Sequence, residues 1–175
     1  MTNINSSYKI SRTLHWLCAF TYLFLAVSMP IALDYASNGS ERRFAHDLHQ
    51  SVATLFTVLL ILRFSWMTIT KDSGLRIEFE SKLQLIMARI NHTFLYFLMI
   101  TTPLTGFLFK ITSGKPIMLF DFELLGVVDS LIDKDWKYYT SEVHYIILDL
   151  FYVLIFLHIA GACLHFANRF KKQVQ

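Results

Sequence analysis

Seven histidines occur in this chain of 175 residues, and six of them, His15, His49, His92, His144, His158 and His165, fall within or at the edge of long apolar runs. A polar ring in such surroundings is costly and points to a function. His144 and His158 lie on one apolar run, fourteen positions apart. In an α-helix that is about 21 Å of rise and about 40° of net rotation. The two imidazoles therefore share a face at two depths, and His165 continues the stripe about two turns further. Imidazoles stacked this way suit two metal or haem sites on one helix, each completed by an imidazole from a facing helix at the same depth.

Four segments can position those rings. Residues 14–33, 48–69, 90–109 and 143–166 are each predominantly apolar, and a bilayer core of about 30 Å needs roughly 20 such residues in helix. The composition, 54% hydrophobic against 17% charged, belongs to the membrane class. The expected fold is an all-α membrane protein: a four-transmembrane-helix bundle forming a single domain over residues 1–175, with two haems between the helices. Lys9, Arg12 and the "AVS" of residues 26–28 imitate a signal peptide, but with three further spans the first run reads as a retained helix. The net charge of +3 includes no polybasic arm, so no nucleic-acid partner is expected. Cys18 and Cys163 sit in apolar runs and form neither a disulfide framework nor a C-x-x-C-H haem-attachment motif; packing is their expected role.

Orientation follows the lysines and arginines. Lys9 and Arg12, then Lys71, Arg76, Lys82 and Arg89, then Arg169, Lys171 and Lys172 lie on one side. Both termini are expected in the cytoplasm. Depth then pairs the histidines: His49 with His144 on the outer side, His15 with His158 on the inner side. His46 and His92 compete for the outer and inner sites, and spacing alone leaves that choice open. A zinc site fits less well, because it wants four ligands at one depth.

In the loops, Ser40 is a candidate N-cap for the second helix with Glu41 near its positive end, the helix starting outside the hydrocarbon and entering it near His49. Pro103 and Gly106 are expected to kink or loosen the third helix. The long third connection contains "FELLGVVDSLI", which is expected to form a short surface helix.

The chain resembles the bacterial cytochrome b561 family of small four-helix, di-haem b proteins of the inner membrane. The residues that carry the resemblance are "SRTLHW", "HQSVATLFTVLLILR", "NHTFLYFLMITTPLTG", "HYIILDLFYVLIFLH" and the following "HF", from about Tyr8 to Lys172. The resemblance implies two non-covalent haem b groups with His15, His49, His144 and His158 as axial iron ligands, which demotes His46 and His92. It implies an oxidoreductase of the respiratory chain, of the superoxide:quinone type, with superoxide or a periplasmic redox protein as reductant and ubiquinone as acceptor. His165 matches a family histidine and is a candidate proton relay to quinone, or simply an imidazole at the interface. Charge adds nothing to superoxide as donor. The outer connections hold six basic residues (Arg42, Arg43, Lys110, Lys115, Lys134, Lys137) against nine acidic ones (Asp34, Glu41, Asp47, Asp121, Glu123, Asp129, Asp133, Asp135, Glu142).

Two alternatives accompany this reading. One is a cytochrome b anchor subunit passing electrons between a peripheral dehydrogenase and quinone; the other is a haem-free proton or metal transporter. Arg63 could pair with a haem propionate, with snorkelling to lipid phosphate the simpler expectation. Asp149 is expected to pair with a polar neighbour, and Trp16 and Trp66 to sit in an aromatic belt. No G-x-S-x-G, H-E-x-x-H, P-loop or Rossmann pattern occurs, leaving haem redox chemistry as the expected activity.

Overall fold

A computed structural model describes residues 2–71 and 81–174. Arg76, used above for orientation, lies outside the described residues, as do the side chains of Arg169, Lys171 and Lys172. Four helices dominate: α1 (Thr2–Tyr35), α2 (Gly39–Thr70), α3 (Lys82–Thr112) and α4 (Lys134–Val174). All four are long and apolar enough to cross a membrane. Each contains one of the apolar segments and extends past it. Between α3 and α4 lie a two-stranded antiparallel hairpin, β1 (Ile117–Leu119) and β2 (Phe122–Leu125), and a 3-10 turn, Asp129–Leu131.

Local chemistry explains the ends. Asn38, not Ser40, caps α2: its Oδ1 accepts from the N–H groups of Ser40 and Glu41, at 3.0 Å each. Glu41 reaches back to accept from the backbone N–H of Ser37 at 2.6 Å, so the two side chains together satisfy three backbone donors at the start of the helix, much as a capping box does. The third connection departs from expectation, since "FELL" is a strand and not a helix. Phe120 turns the hairpin with a φ of 52°, a left-handed conformation that costs a non-glycine residue roughly 1–2 kcal/mol. Its N–H donates to Ser51 Oγ at 2.7 Å, and the Gln50 side-chain amide donates to Pro116 O at 3.4 Å. A helix would leave these tethers to α2 unmade. Gly114, at φ +67°, closes the turn after α3, where a Cβ would meet Ile132 Cδ1 at 2.9 Å.

The helices associate as two hairpins, α1 against α2 and α3 against α4, with closer packing within each pair than between them. One end of the bundle carries the β-hairpin and the short α1–α2 link; the other carries both termini. The core lies midway between these ends. Tyr22 stacks on Phe56 (5.2 Å between ring centres, 10° between planes) and meets Phe151 edge-on at 4.2 Å. Cys18, Leu25, Ala26, Leu60, Leu95 and Leu98 complete the cluster. Tyr22 Oη donates to Thr102 Oγ1 at 2.6 Å, and Thr102 Oγ1 in turn donates to Leu98 O at 2.6 Å. The outward surface is apolar instead, with Phe20, Phe24, Ile61, Phe97 and Phe156 exposed, as a lipid-facing bundle requires.

Candidate functional site

The aromatic core divides the histidines into two groups. Tyr22 stands seven positions after His15, Phe56 seven after His49, and Phe151 seven after His144 and seven before His158. Seven residues are two turns, about 10 Å of rise with the side chains on nearly the same face. Each aromatic ring therefore shares its histidine's inward face, and the core forms a dry partition with imidazoles on either side.

At the hairpin end, His49 and His144 line one cavity of about 380 Å3 between the helix pairs, together with His46, Gly106, Lys110 and Leu148. His144 is held tightly. Its Nδ1 lies 3.2 Å from Thr102 O and 3.1 Å from Thr105 Oγ1. A carbonyl only accepts, so Nδ1 carries the proton and Nε2 keeps a free lone pair, the arrangement a metal-binding histidine uses. Gly106 permits this approach, because a Cβ there would sit 3.3 Å from His144 Cε1. His49 is different: its Nδ1 is buried without a hydrogen-bond partner, as is Gln50 Oε1. Buried polar atoms usually find a partner, so this lining is suited to a group not made of protein. His46 is exposed, although it borders the same cavity.

At the terminal end, His15, His92 and His158 lie within electrostatic reach of one another. The His92 and His158 rings meet edge-on, 4.9 Å apart, and His92 Nδ1–H donates to Ala88 O at 2.6 Å. Depth thus brings together the expected pair, His15 and His158, with the demoted His92 beside them.

Arg63 corrects the snorkelling expectation. It is 2% exposed and points inward, donating to Ser11 O (3.3 Å), His15 Nδ1 (3.2 Å) and Tyr96 Oη (3.1 Å). Trp66 also turns inward, its indole N–H donating to Ser11 Oγ at 3.0 Å; Trp16 is exposed and stacks on Phe20. Asp149 faces outward, within electrostatic reach of Tyr152. His165 is half-buried, Cys18 is buried in the core, and Cys163 is exposed.

The donor set suits haem better than a bare ion. Among the described residues no three His, Cys, Asp or Glu side chains gather as a protein-built metal site requires, whereas a bis-imidazole haem needs two side chains on facing helices and an apolar slot. Both features occur at the hairpin end. A bundle of four apolar helices with paired inward histidines defines a membrane cytochrome b.

The comparisons agree. The chain belongs to the prokaryotic cytochrome b561 family, whose pattern matches residues 8–173. It is also 30% identical over 122 residues to cytochrome b561 homolog 2 of Escherichia coli strain K12, a match covering 68% of this chain and 63% of that relative, less than two thirds of its length. Membership, with four helices long and apolar enough to cross a membrane, makes the chain a multi-pass membrane protein of the cytochrome b561 type.

Proposed function

We propose that the chain is a di-haem b oxidoreductase of the bacterial inner membrane, with His49 and His144 as axial ligands at the hairpin end and His15 and His158 at the terminal end. The observation that carries this reading is the sorting of the histidines onto the two sides of the Tyr22–Phe56–Phe151 partition. Haem, when bound, would supply an iron that changes by one electron, and held by two of these imidazoles it would favour electron transfer over substrate binding at the metal.

The chain's own residues supply position and environment. Thr102 and Thr105 fix the His144 tautomer. Gly106 gives that ring its room, and the aromatic partition excludes water between the sites. The hairpin end faces the periplasm and both termini face the cytoplasm. The reductant is periplasmic, with superoxide as the family-based candidate. The acceptor is ubiquinone, near the terminal end, with His165 able to relay a proton.

One observation favours the second reading, an anchor subunit beneath a peripheral dehydrogenase: every residue of β2 is exposed, Phe122 at 74%. A large redox subunit retained through purification would support it, whereas quinone reduction by the isolated chain would sink it.

The di-haem assignment is tested by a pyridine haemochrome assay with reduced-minus-oxidised spectra on purified protein and on His144→Ala and His158→Ala. Two b haems per chain, one lost or perturbed by each substitution, is the expected result. No haem, or haem unaffected by either change, defeats the assignment.

A further inference from the structure

We propose that Arg63 holds the terminal-end haem at a higher reduction potential than the hairpin-end haem, so that an electron arriving at the hairpin end is drawn across the partition. This rests on the di-haem reading above. Among the described residues Arg63 is the one fully buried cation, 2% exposed. Its hydrogen-bond partners Ser11 O, His15 Nδ1 and Tyr96 Oη are all uncharged, and its guanidinium carbon lies 5.9 Å from the centre of the Tyr96 ring. Among the described residues no carboxylate pairs with it.

The sign follows from charge. Ferric haem carries one more positive charge than ferrous haem, and a nearby cation in surroundings of low polarisability disfavours that extra charge. It therefore stabilises the reduced state. Ligation through His15 Nε2 requires the ring proton on Nδ1, where an Arg63 N–H now points. That single contact must give way, since two donors cannot face each other. The bonds to Ser11 and Tyr96 do not depend on the ring and keep the charge beside it. A haem carboxylate that turned toward Arg63 would offset part of the effect without reversing its sign on removal.

The hairpin end has no equivalent. His144 Nδ1 donates to the carbonyl of Thr102, which makes the ring a better donor to iron and favours the ferric state. Lys110 borders that cavity, but it is only half-buried, and Asp47 stands near it to offset its charge although Lys115 adds to it.

The experiment is an equilibrium redox titration of the purified holoprotein in lipid, followed by the haem absorption bands, for the unaltered chain, Arg63→Gln and Arg63→Lys. Two midpoints are expected. Arg63→Gln lowers the higher one and leaves the other in place, while Arg63→Lys, which keeps the charge, restores most of the shift. A higher midpoint that stays put or rises, or two that move together, overturns the proposal. A rise would mean that Arg63 instead sustains an ionised His15 ligand. Should Arg63→Gln lose a haem, the single-haem variants decide: His49→Ala, retaining the terminal-end haem, must titrate above His158→Ala, and the reverse order overturns the proposal. Fewer than two haems in the unaltered chain defeats the di-haem reading, whereas two haems in the wrong order defeat this inference alone.

Discussion

The two ends of the bundle hold their histidines by different physics. At the hairpin end the partners of His144 are neutral and geometric: a carbonyl, a hydroxyl and a glycine with no side chain in the way. At the terminal end His15 meets a buried guanidinium, and a second imidazole stands edge-on to His158. Neutral hydrogen bonds fix orientation and tautomer at little electrostatic cost. A buried charge shifts an equilibrium, but requires a surrounding that keeps it satisfied. In the proposed two-site electron carrier the first device would hold a ligand and the second would give the transfer a direction.

The largest effects should come from the four histidines proposed as ligands. His49→Ala is expected to remove the hairpin-end haem, halving haem per chain, while His46→Ala leaves both in place. At the other end His15→Ala should remove a haem and His92→Ala should not. Haem content measured on the four variants sharpens the comparison. Haem lost from His46→Ala or His92→Ala, with the partner variant intact, would reassign that site.

Next in size is Gly106. A branched side chain there must push His144 away, because even a Cβ lies 3.3 Å from its ring. Gly106→Val is expected to abolish or severely perturb the hairpin-end haem and leave the terminal-end spectrum unchanged. Equal disturbance at both ends would mean that the two sites are not independent, and the comparison would fail. A smaller effect is expected at the partition. Thr102→Val deprives buried Tyr22 Oη of its 2.6 Å partner and should cost about 1 kcal/mol of stability, read as an earlier thermal transition with both haems retained.

Much of this was legible in the sequence because its signals are periodic. Four apolar runs specify four spans, and a spacing of two turns or a multiple keeps side chains on one helix face. Depth matching therefore sorted His15 and His158 from His49 and His144. The same spacing also held the partition, since Tyr22, Phe56 and Phe151 stand seven positions from those histidines, but an aromatic residue in an apolar run carries no contrast to draw notice. Arg63 is not legible in the same way, because a cation near a span's end has two exits, lipid phosphate or the interior. Only the partners on α1 and α3, Ser11 and Tyr96, decide between them. The hairpin is hidden in the sequence because "FELLGVVDSLI" has helical composition, and its strand is tied to Ser51 and Gln50, about seventy residues away in sequence.

Those tethers lead to the smallest expected effect. Ser51 Oγ accepts from Phe120 N–H at 2.7 Å while donating to Asp47 O at 2.8 Å, so one hydroxyl fixes the tip of the β-hairpin to α2 two positions after His49. Ser51→Ala removes that acceptor and should cost on the order of 1 kcal/mol. The loss falls on the hairpin alone, because Phe120 already sits in an unfavourable backbone conformation that the bond helps to maintain. Hydrogen exchange is expected to quicken at residues 117–125 with haem content unchanged. Reduction of the hairpin-end haem by a small hydrophilic reductant should quicken as the cover loosens, and reduction through the quinone should not. If the quinone-linked rate rose as well, the hairpin would be coupled across the partition, and the separation of the two ends would have to be abandoned.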